Sequence, residues 1–392
     1  MKKGSIYVHV PFCKTRCAYC SFFSSTNGME TKREYTDAVC LEAKERAIVD
    51  ADGMEISSVY FGGGTPTQLP IENLERMMHA LQGNYRISED AEVTFEANPD
   101  DITPTLIHQL RDLGANRISM GVQSFSDEVL SKISRRHTSR QAVKAVETTL
   151  QHGISNVSID LIYGLPGQEH RQWQQDLNMA FSLGISHLSS YALSIEEGSA
   201  LFQQKKRGDI REASEDDFLL MYGLLQDTAE HAGFQQYEIS NFALPGFHSR
   251  HNSGYWNGQP YIGLGPAAHS YDGLRTRRWN AADLYAYTRF WKSREGNVKS
   301  PTPPPFDVEV LNDDELYDER VMTRLRTAQG MDLRELPDFR RDYLLHMSQQ
   351  YVKKRLLEII DGHLRFTHNG IFLSDTIMAD LMWDSEAPSS CT

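Results

Sequence analysis

Three of the chain's five cysteines, Cys13, Cys17 and Cys20, fall within eight residues in the stretch "CKTRCAYC". Thiolates at i, i+4 and i+7 on one loop can converge on a single metal centre. Structural zinc takes four protein ligands, commonly as two well-separated pairs. Here the second pair is missing, and His9 sits in a strand two residues before Pro11. An iron–sulfur cubane suits the pattern better, because each of its irons has one outer ligand and three thiolates leave one iron open. An open iron can take a substrate or cofactor. A zinc site or a chance grouping is the plainer alternative. The clustering does not suggest a disulfide framework, and it points to a reducing, cytoplasmic setting. Cys40, in a helical pattern, and Cys391, in the polar tail "SEAPSSCT", offer no fourth ligand.

Two further groups stand out. Gly62, Gly63 and Gly64 follow a strand pattern and precede Thr65-Pro66, giving bare backbone that a ligand can approach. The plainer reading is a flexible turn. His251 lies in "HNSGYW", with Phe247, Tyr255, Trp256 and Tyr261 nearby in sequence and His248 and His269 flanking. A porphyrin needs flat apolar walls and an axial ligand, which imidazole supplies. A hydrogen-bonded structural histidine is the alternative.

These residues must be held by something, and the first half of the chain alternates short β-rich runs with helical patterns. Strands are expected at 5–10, 57–61, 91–97, 116–122, 156–164 and 187–195. The intervening helices are expected near 31–49, 71–82, from Thr103, 126–133, 139–152, 170–184 and 215–232. Thr103-Pro104 makes a good cap and first-turn pair. Six strand-then-helix units imply a parallel sheet with right-handed crossovers. Nearly every odd polar or glycine-rich feature follows a strand, from the cysteines and "GGGTPT" to Glu96, Gln123, Asp160 and Ser194. That favours a partial (β/α)6 barrel, α/β in class and TIM-like, over a doubly wound sheet. Four regions follow: the barrel over 1–233, a His- and aromatic-rich extension over 234–299, a Pro-rich linker over 300–312, and a helical domain over 313–392. In the last, runs on either side of "HNG" suggest a β-hairpin, giving a winged-helix-like unit.

The formal net charge of −13 argues against a general nucleic-acid binder. No stretch approaches the ~18 uninterrupted apolar residues of a transmembrane span, and the first residues do not read as a secretory signal.

"CKTRCAYC" with "FGGGTP" downstream resembles the radical S-adenosylmethionine superfamily. The lead "YVHVPFC" and the later "GVQSF", "IDLIYGLPGQ" and "HNSGYW" are similar to the oxygen-independent coproporphyrinogen III oxidase-like group and, within it, the HemW-type heme chaperones. The resemblance implies a [4Fe–4S] cluster on Cys13, Cys17 and Cys20, with S-adenosylmethionine chelating the open iron. It implies cofactor contacts from Tyr7, Tyr19, Gly63, Gly64, Thr65, Glu96, Gln123, Arg135, Asp160 and Ser194. It also implies heme binding at His251 within the HNxxYW pattern, and transfer of heme to apo-heme proteins such as respiratory cytochromes. A homodimer whose assembly depends on the cluster is a further implication. Pro266 departs from the small residue that relatives tend to carry, so His269 is left without a role.

Two functions of different classes follow from the resemblance: a heme carrier, or a coproporphyrinogen III dehydrogenase acting by radical oxidative decarboxylation. True dehydrogenases typically continue the motif as CxxxCxxCxC, whereas Cys20 is followed here by Ser21 and Phe22. They also carry a segment ahead of the first strand, and only six residues precede Tyr7. Both features favour the carrier. A radical enzyme with an unrelated substrate is a third reading, since one fold hosts many chemistries.

Overall fold

The computed structural model describes residues 2–384 except 27, 52 and 295–304; Cys391 lies outside them. The barrel region runs β1 (Lys2–Val10), α1 (Met29–Asp50), β2 (Met54–Gly63), α2 (Ile71–Asn84), β3 (Ile87–Ala97), α3 (Pro104–Asp112), β4 (Arg117–Gln123), α4 (Asp127–Lys132), α5 (Ser139–Gln151), β5 (Asn156–Tyr163), α6 (His170–Ser182), β6 (His187–Ala192), α7 (Ala200–Arg207) and α8 (Glu215–His231). Strands β1 to β6 pair in parallel and in sequence order. A doubly wound sheet would reverse direction at a switch point. The unbroken order is that of a barrel wall, and the partial barrel expected from the sequence is what forms. The sixth strand ends at Ala192, so Ser194 lies in the loop beyond it rather than in the strand.

The strands are two-faced. Val59 and Phe61, Val93 and Phe95, Ile118 and Met120, and Ile159 and Leu161 point outward into one continuous core beneath the helices. Phe61 and Phe95 are fully buried and stack with centroids 4.5 Å apart. The alternate positions point to the axis and are mostly polar, as the period-2 geometry of a strand requires. Thr103 caps α3 by accepting from the Leu106 amide at 3.1 Å, as expected.

The next region builds outward from both ends of this wall: β7 (Gln235–Glu238), β8 (Asn241–Ala243), α9 (Arg250–Trp256), β9 (Tyr261–Leu264), β10 (His269–Tyr271), β11 (Thr276–Asn280), α10 (Leu284–Ser293) and β12 (Phe306–Val310). Strands β8 and β7 extend the sheet past β6, and β9 to β12 extend it past β1 to give twelve strands. The linker expected over 300–312 is corrected in part. Phe306–Val310 is a strand paired along β11, while 300–304 lie outside the described residues. This region is tied to the barrel by Glu42, fully buried on α1. Its carboxylate accepts from the Gly265 amide at 2.9 Å, Asn280 Nδ2 at 2.8 Å and the Tyr287 hydroxyl at 2.6 Å. A buried carboxylate is tolerable only with such a full set of donors.

The C-terminal part comprises α11 (Asp313–Arg324), β13 (Met331–Asp332), α12 (Asp338–Lys353), β14 (Leu357–Ile360), β15 (His363–Phe366) and α13 (Ser374–Leu381), around a second core that includes Val321, Leu344, Leu364 and Ile377. A hairpin is present, but not around "HNG". It turns at Asp361-Gly362, both with positive φ (51° and 82°), the geometry of the favoured two-residue hairpin turn. His368, Asn369 and Gly370 instead lead into α13. Among the described residues no helix is long and apolar enough to cross a membrane.

Candidate functional site

At the carboxyl ends of the barrel strands a cavity of about 420 Å³ opens. The loop after β1 places Cys13, Cys17, Cys20 and Tyr19 on its wall, and the end of β2 adds Gly63, Gly64 and Thr65. Glu96 comes from β3, Gln123 from β4, Arg135 from the turn after α4, Asp160 from β5 and Ser194 from beyond β6. Residues scattered over 180 positions of sequence are thus gathered by six consecutive strand ends.

None of the three cysteines is in a disulfide, and each is partly exposed. Thr65 Oγ1 lies 3.8 Å from Cys13 Sγ, and Arg135 Nη1 approaches Cys17 Sγ at 3.4 Å. Burial raises the pKa of Cys13 and Cys20. Both are thiols when the site holds nothing, and metal loading must release their protons. Among the described residues no three His, Cys, Asp or Glu side chains converge tightly enough for one metal ion.

The glycines are dictated by packing. Gly63 has φ +106°, and a Cβ there would lie 2.5 Å from the His9 imidazole. A Cβ on Gly64 would meet the Phe12 carbonyl oxygen at 2.8 Å. The bare backbone at the cavity edge is therefore fixed by its neighbours and is not a loose turn. The Gly63 amide donates to Glu96 Oε2 at 3.0 Å, and the Tyr60 hydroxyl donates to Oε1 at 2.8 Å. Burial, reinforced by Asp160, pushes the Glu96 pKa up to about 7 despite these donors and Arg117. Asp160, near Ser119 Oγ at 3.3 Å, is pushed up to about 6, again chiefly by burial.

Gln123 has φ +71° at a register shift between β4 and β5. A non-glycine residue in that region is uncommon, and such strain clusters at ligand sites. Gln123 is among the residues that line the cavity. Arg135 is no solvated helix-end charge: Nη2 donates to Asn98 Oδ1 at 2.7 Å and to the Gly121 carbonyl. Its Nε is buried without a partner. Arg135 lines the cavity, and a guanidinium there suits a carboxylate, which S-adenosylmethionine carries. The donor set thus fits both a [4Fe–4S] cluster and that cofactor.

Two expected residues lie elsewhere. Tyr7 and His251 line a second, inner cavity nearer the barrel floor. The Tyr7 hydroxyl bonds to His9 Nδ1 at 3.1 Å, and a Cβ on Gly63 at the upper cavity's edge would meet that same imidazole. His251, 3% exposed, stacks on Tyr60 at 4.9 Å. Its Nδ1 pairs with Ser58 Oγ at 3.0 Å and its Nε2 with the Tyr255 hydroxyl at 2.9 Å, so neither nitrogen is free in this conformation. Burial, with Arg117 adding, lowers its pKa to about 3. The aromatic wall assembles only in part: Tyr255 meets the His251 ring edge-on at 5.0 Å and Tyr261 packs edge-on against Tyr255 at 4.6 Å. Trp256 packs under Arg326 at 5.1 Å, His248 stacks on Tyr237 and His269 on Trp279. Arg275 pairs with Asp313 at the surface, and Arg277 pairs with the half-buried Glu319.

Sequence reasoning missed Asn98, which bridges Arg135 and Thr65 (Nδ2 to Oγ1, 3.0 Å). It also missed Arg117. The signal was available: Arg117, Ser119, Gly121 and Gln123 share one strand phase, and three of the four are polar.

Comparison with known proteins agrees with this geometry. The family model "Radical SAM superfamily" matches residues 7–180, and "HemN C-terminal domain" matches 311–373. The chain is 33% identical to the heme chaperone HemW of Mycobacterium tuberculosis, over 96% of this chain and 94% of the relative. It is 30% identical to the heme chaperone HemW of Bacillus subtilis, over 95% and 97% respectively. Among solved structures, the coproporphyrinogen III oxidase HemN of Escherichia coli superposes with a TM-score of 0.82 at 24% identity, covering 97% of this chain and 90% of that one.

Proposed function

Because this chain belongs to the HemW-type heme chaperone family, within the radical S-adenosylmethionine superfamily, we propose that it binds heme and passes it to apo-heme proteins, respiratory cytochromes among them, in the reducing interior of the cell. The observation that carries this reading is the likeness to heme chaperones over nearly the full length of both chains. Coproporphyrinogen III dehydrogenase activity is the reading to be tested against it.

In this proposal Cys13, Cys17 and Cys20 hold a [4Fe–4S] cluster, which supplies an open iron and one-electron chemistry. Arg135 receives the carboxylate of S-adenosylmethionine. The Gly63–Thr65 backbone borders its amino group, and Glu96, Gln123, Asp160, Ser194 and Tyr19 line its remaining surface. Tyr7 is a positioning residue, setting His9 and through it Gly63. Glu96, protonated about half the time near neutral pH, holds its proton at the carboxyl bridging Tyr60 and Gly63. Binding a cationic sulfonium nearby favours loss of that proton.

Iron ligation by His251 requires a change of shape. Helix α9 must lift from β2 and β3, releasing the Ser58 bond and those from Ser249, Arg250 and His251 to Glu92, and the Tyr255 hydroxyl on the same helix must turn away from Nε2. Anaerobically reconstituted protein is titrated with hemin, beside His251→Ala, while a second portion receives coproporphyrinogen III, S-adenosylmethionine and reductant. The expected result is stoichiometric hemin binding, weakened in the variant, without protoporphyrinogen. Product without a hemin site would reverse the assignment to the dehydrogenase. An unchanged Soret band in the variant would return His251 to a structural role. Equal sedimentation of apo and cluster-loaded protein would remove the cluster-dependent homodimer.

A further inference from the structure

Below the upper cavity the polar column of the barrel continues into a second space of about 220 Å³, sharing Glu96, Ser119, Asp160 and Tyr191 with the first. Arg117, the first residue of β4, forms part of its wall. The side chain is 2% exposed, yet its Nε and Nη1 have no hydrogen-bond partner. A buried guanidinium is costly unless an acceptor meets it. The nearby carboxylates feel its charge, which opposes burial and acts to lower the pKa of Glu96 and Asp160, but neither hydrogen-bonds to it: Glu96 accepts from Tyr60 and Gly63, and Asp160 from Ser119. By contrast, buried Arg46 is met by Asp50, Ser270 and the Gly263 carbonyl. Arg117 thus brings a guanidinium with unused donors to the wall of this cavity, which Asn241 and Asn252 also line.

The shape limits the occupant. A space of about 220 Å³ falls below the ~300–1,000 Å³ typical of pockets for drug-sized ligands. It admits a short anionic arm and excludes a macrocycle in this conformation. A planar fork selects a carboxylate in the bidentate manner.

We propose that the barrel floor is a carboxylate-binding subsite in which Arg117 receives a propionate of heme. The inference rests on the heme-carrier reading, and its test separates the two. Cluster-loaded full-length protein and Arg117→Gln are titrated with hemin and with hemin dimethyl ester, whose carboxylates are capped. The parent should favour hemin over the ester by about tenfold or more, as loss of a charged hydrogen bond implies. In Arg117→Gln that preference should vanish through weaker hemin binding alone, and Arg117→Lys should fall between. If Arg117→Gln binds hemin as tightly as the parent, or weakens hemin and ester equally, the proposal is overturned. A parent that binds neither porphyrin ends the heme reading, and a second measurement then judges the subsite. Melting temperature is followed in sodium propionate against sodium chloride at equal ionic strength. A rise confined to proteins with Arg117 supports a carboxylate site with another source, whereas equal or absent rises overturn it. Should Arg117→Gln fail to fold, Arg117→Lys carries both comparisons, since it keeps the charge and loses the fork.

Discussion

Along each barrel strand, the face toward the helices and the face toward the axis obey different rules. Outside, Phe61, Phe95, Met120 and Leu161 fill one apolar core with no exposure. Inside, Tyr60, Glu96, Ser119 and Asp160 leave two connected spaces. An ordinary (β/α)8 barrel packs its interior with branched aliphatic layers. Here the interior has become a polar well, and stability has been transferred to the outer face. The same backbone therefore separates the residues that hold the protein together from those that give it a task.

Substitutions on the two faces should fail differently. The largest contrast is expected at the mouth. Replacing Cys13, Cys17 and Cys20 together by Ser should abolish the brown iron–sulfur chromophore entirely. Its urea-unfolding free energy should stay within about 1 kcal/mol of the cluster-free parent, because partly exposed thiols contribute little packing. A surviving chromophore would break the assignment of the mouth. On the outer face, Phe95→Ala should cost about 3–5 kcal/mol in urea unfolding, as for other buried aromatics. A cost below about 1 kcal/mol would mean the outer face is not the structural one.

Smaller effects come from the well itself. Glu96 binds its proton more tightly folded (pKa about 7) than at its ordinary 4.5. The folded state therefore carries the extra proton between those values, and stability falls as pH rises through the window, by up to about 3 kcal/mol. Glu96→Gln should flatten that slope in apo protein, read from melting at pH 5 to 8. His251, lowered to about 3 from 6.5, acts in the opposite sense: its contribution is present above 6.5 and lost as pH falls. His251→Ala should flatten the acid limb instead. The smallest effect is at Gln123. With φ +71°, Gln123→Gly should be about 1 kcal/mol more stable than Gln123→Ala, the reverse of an ordinary strand position. Urea titration of the pair decides it.

Much of the barrel could be read from the chain because the outer face writes a strong signal. Apolar residues at every second position, bounded by capped helices, gave six strands within a few residues of their observed ends. The extension was opaque because β7 to β11 are three to five residues long and too short to show a period. The hairpin turn was missed because apolar runs flank both "DG" and "HNG", and only the positive φ at Asp361-Gly362 separates them. At the site, motifs located the mouth, where loops need special residues. The floor was missed because Arg117 and His251 are judged by what encloses them, which sequence spacing does not encode. His251 read as a candidate axial ligand beside aromatic residues, and only the fold brings Ser58 to its Nδ1.

One pairing has a consequence for how the molecule is made. Strand β1 lies between β2 and β9, with Ser5 to Val8 in register with Tyr261 to Leu264. About 250 residues separate these partners, a wait of roughly 12–50 s at ribosomal rates of ~5–20 residues per second. Throughout that interval the first strand is an open edge, able to pair with any neighbouring nascent chain. The thiol loop emerges directly behind it and reaches Arg135 only after some 115 further residues. Synthesis thus offers the three thiols to the cell before it offers the enclosure that protects them, and the order of assembly becomes part of the protein's chemistry.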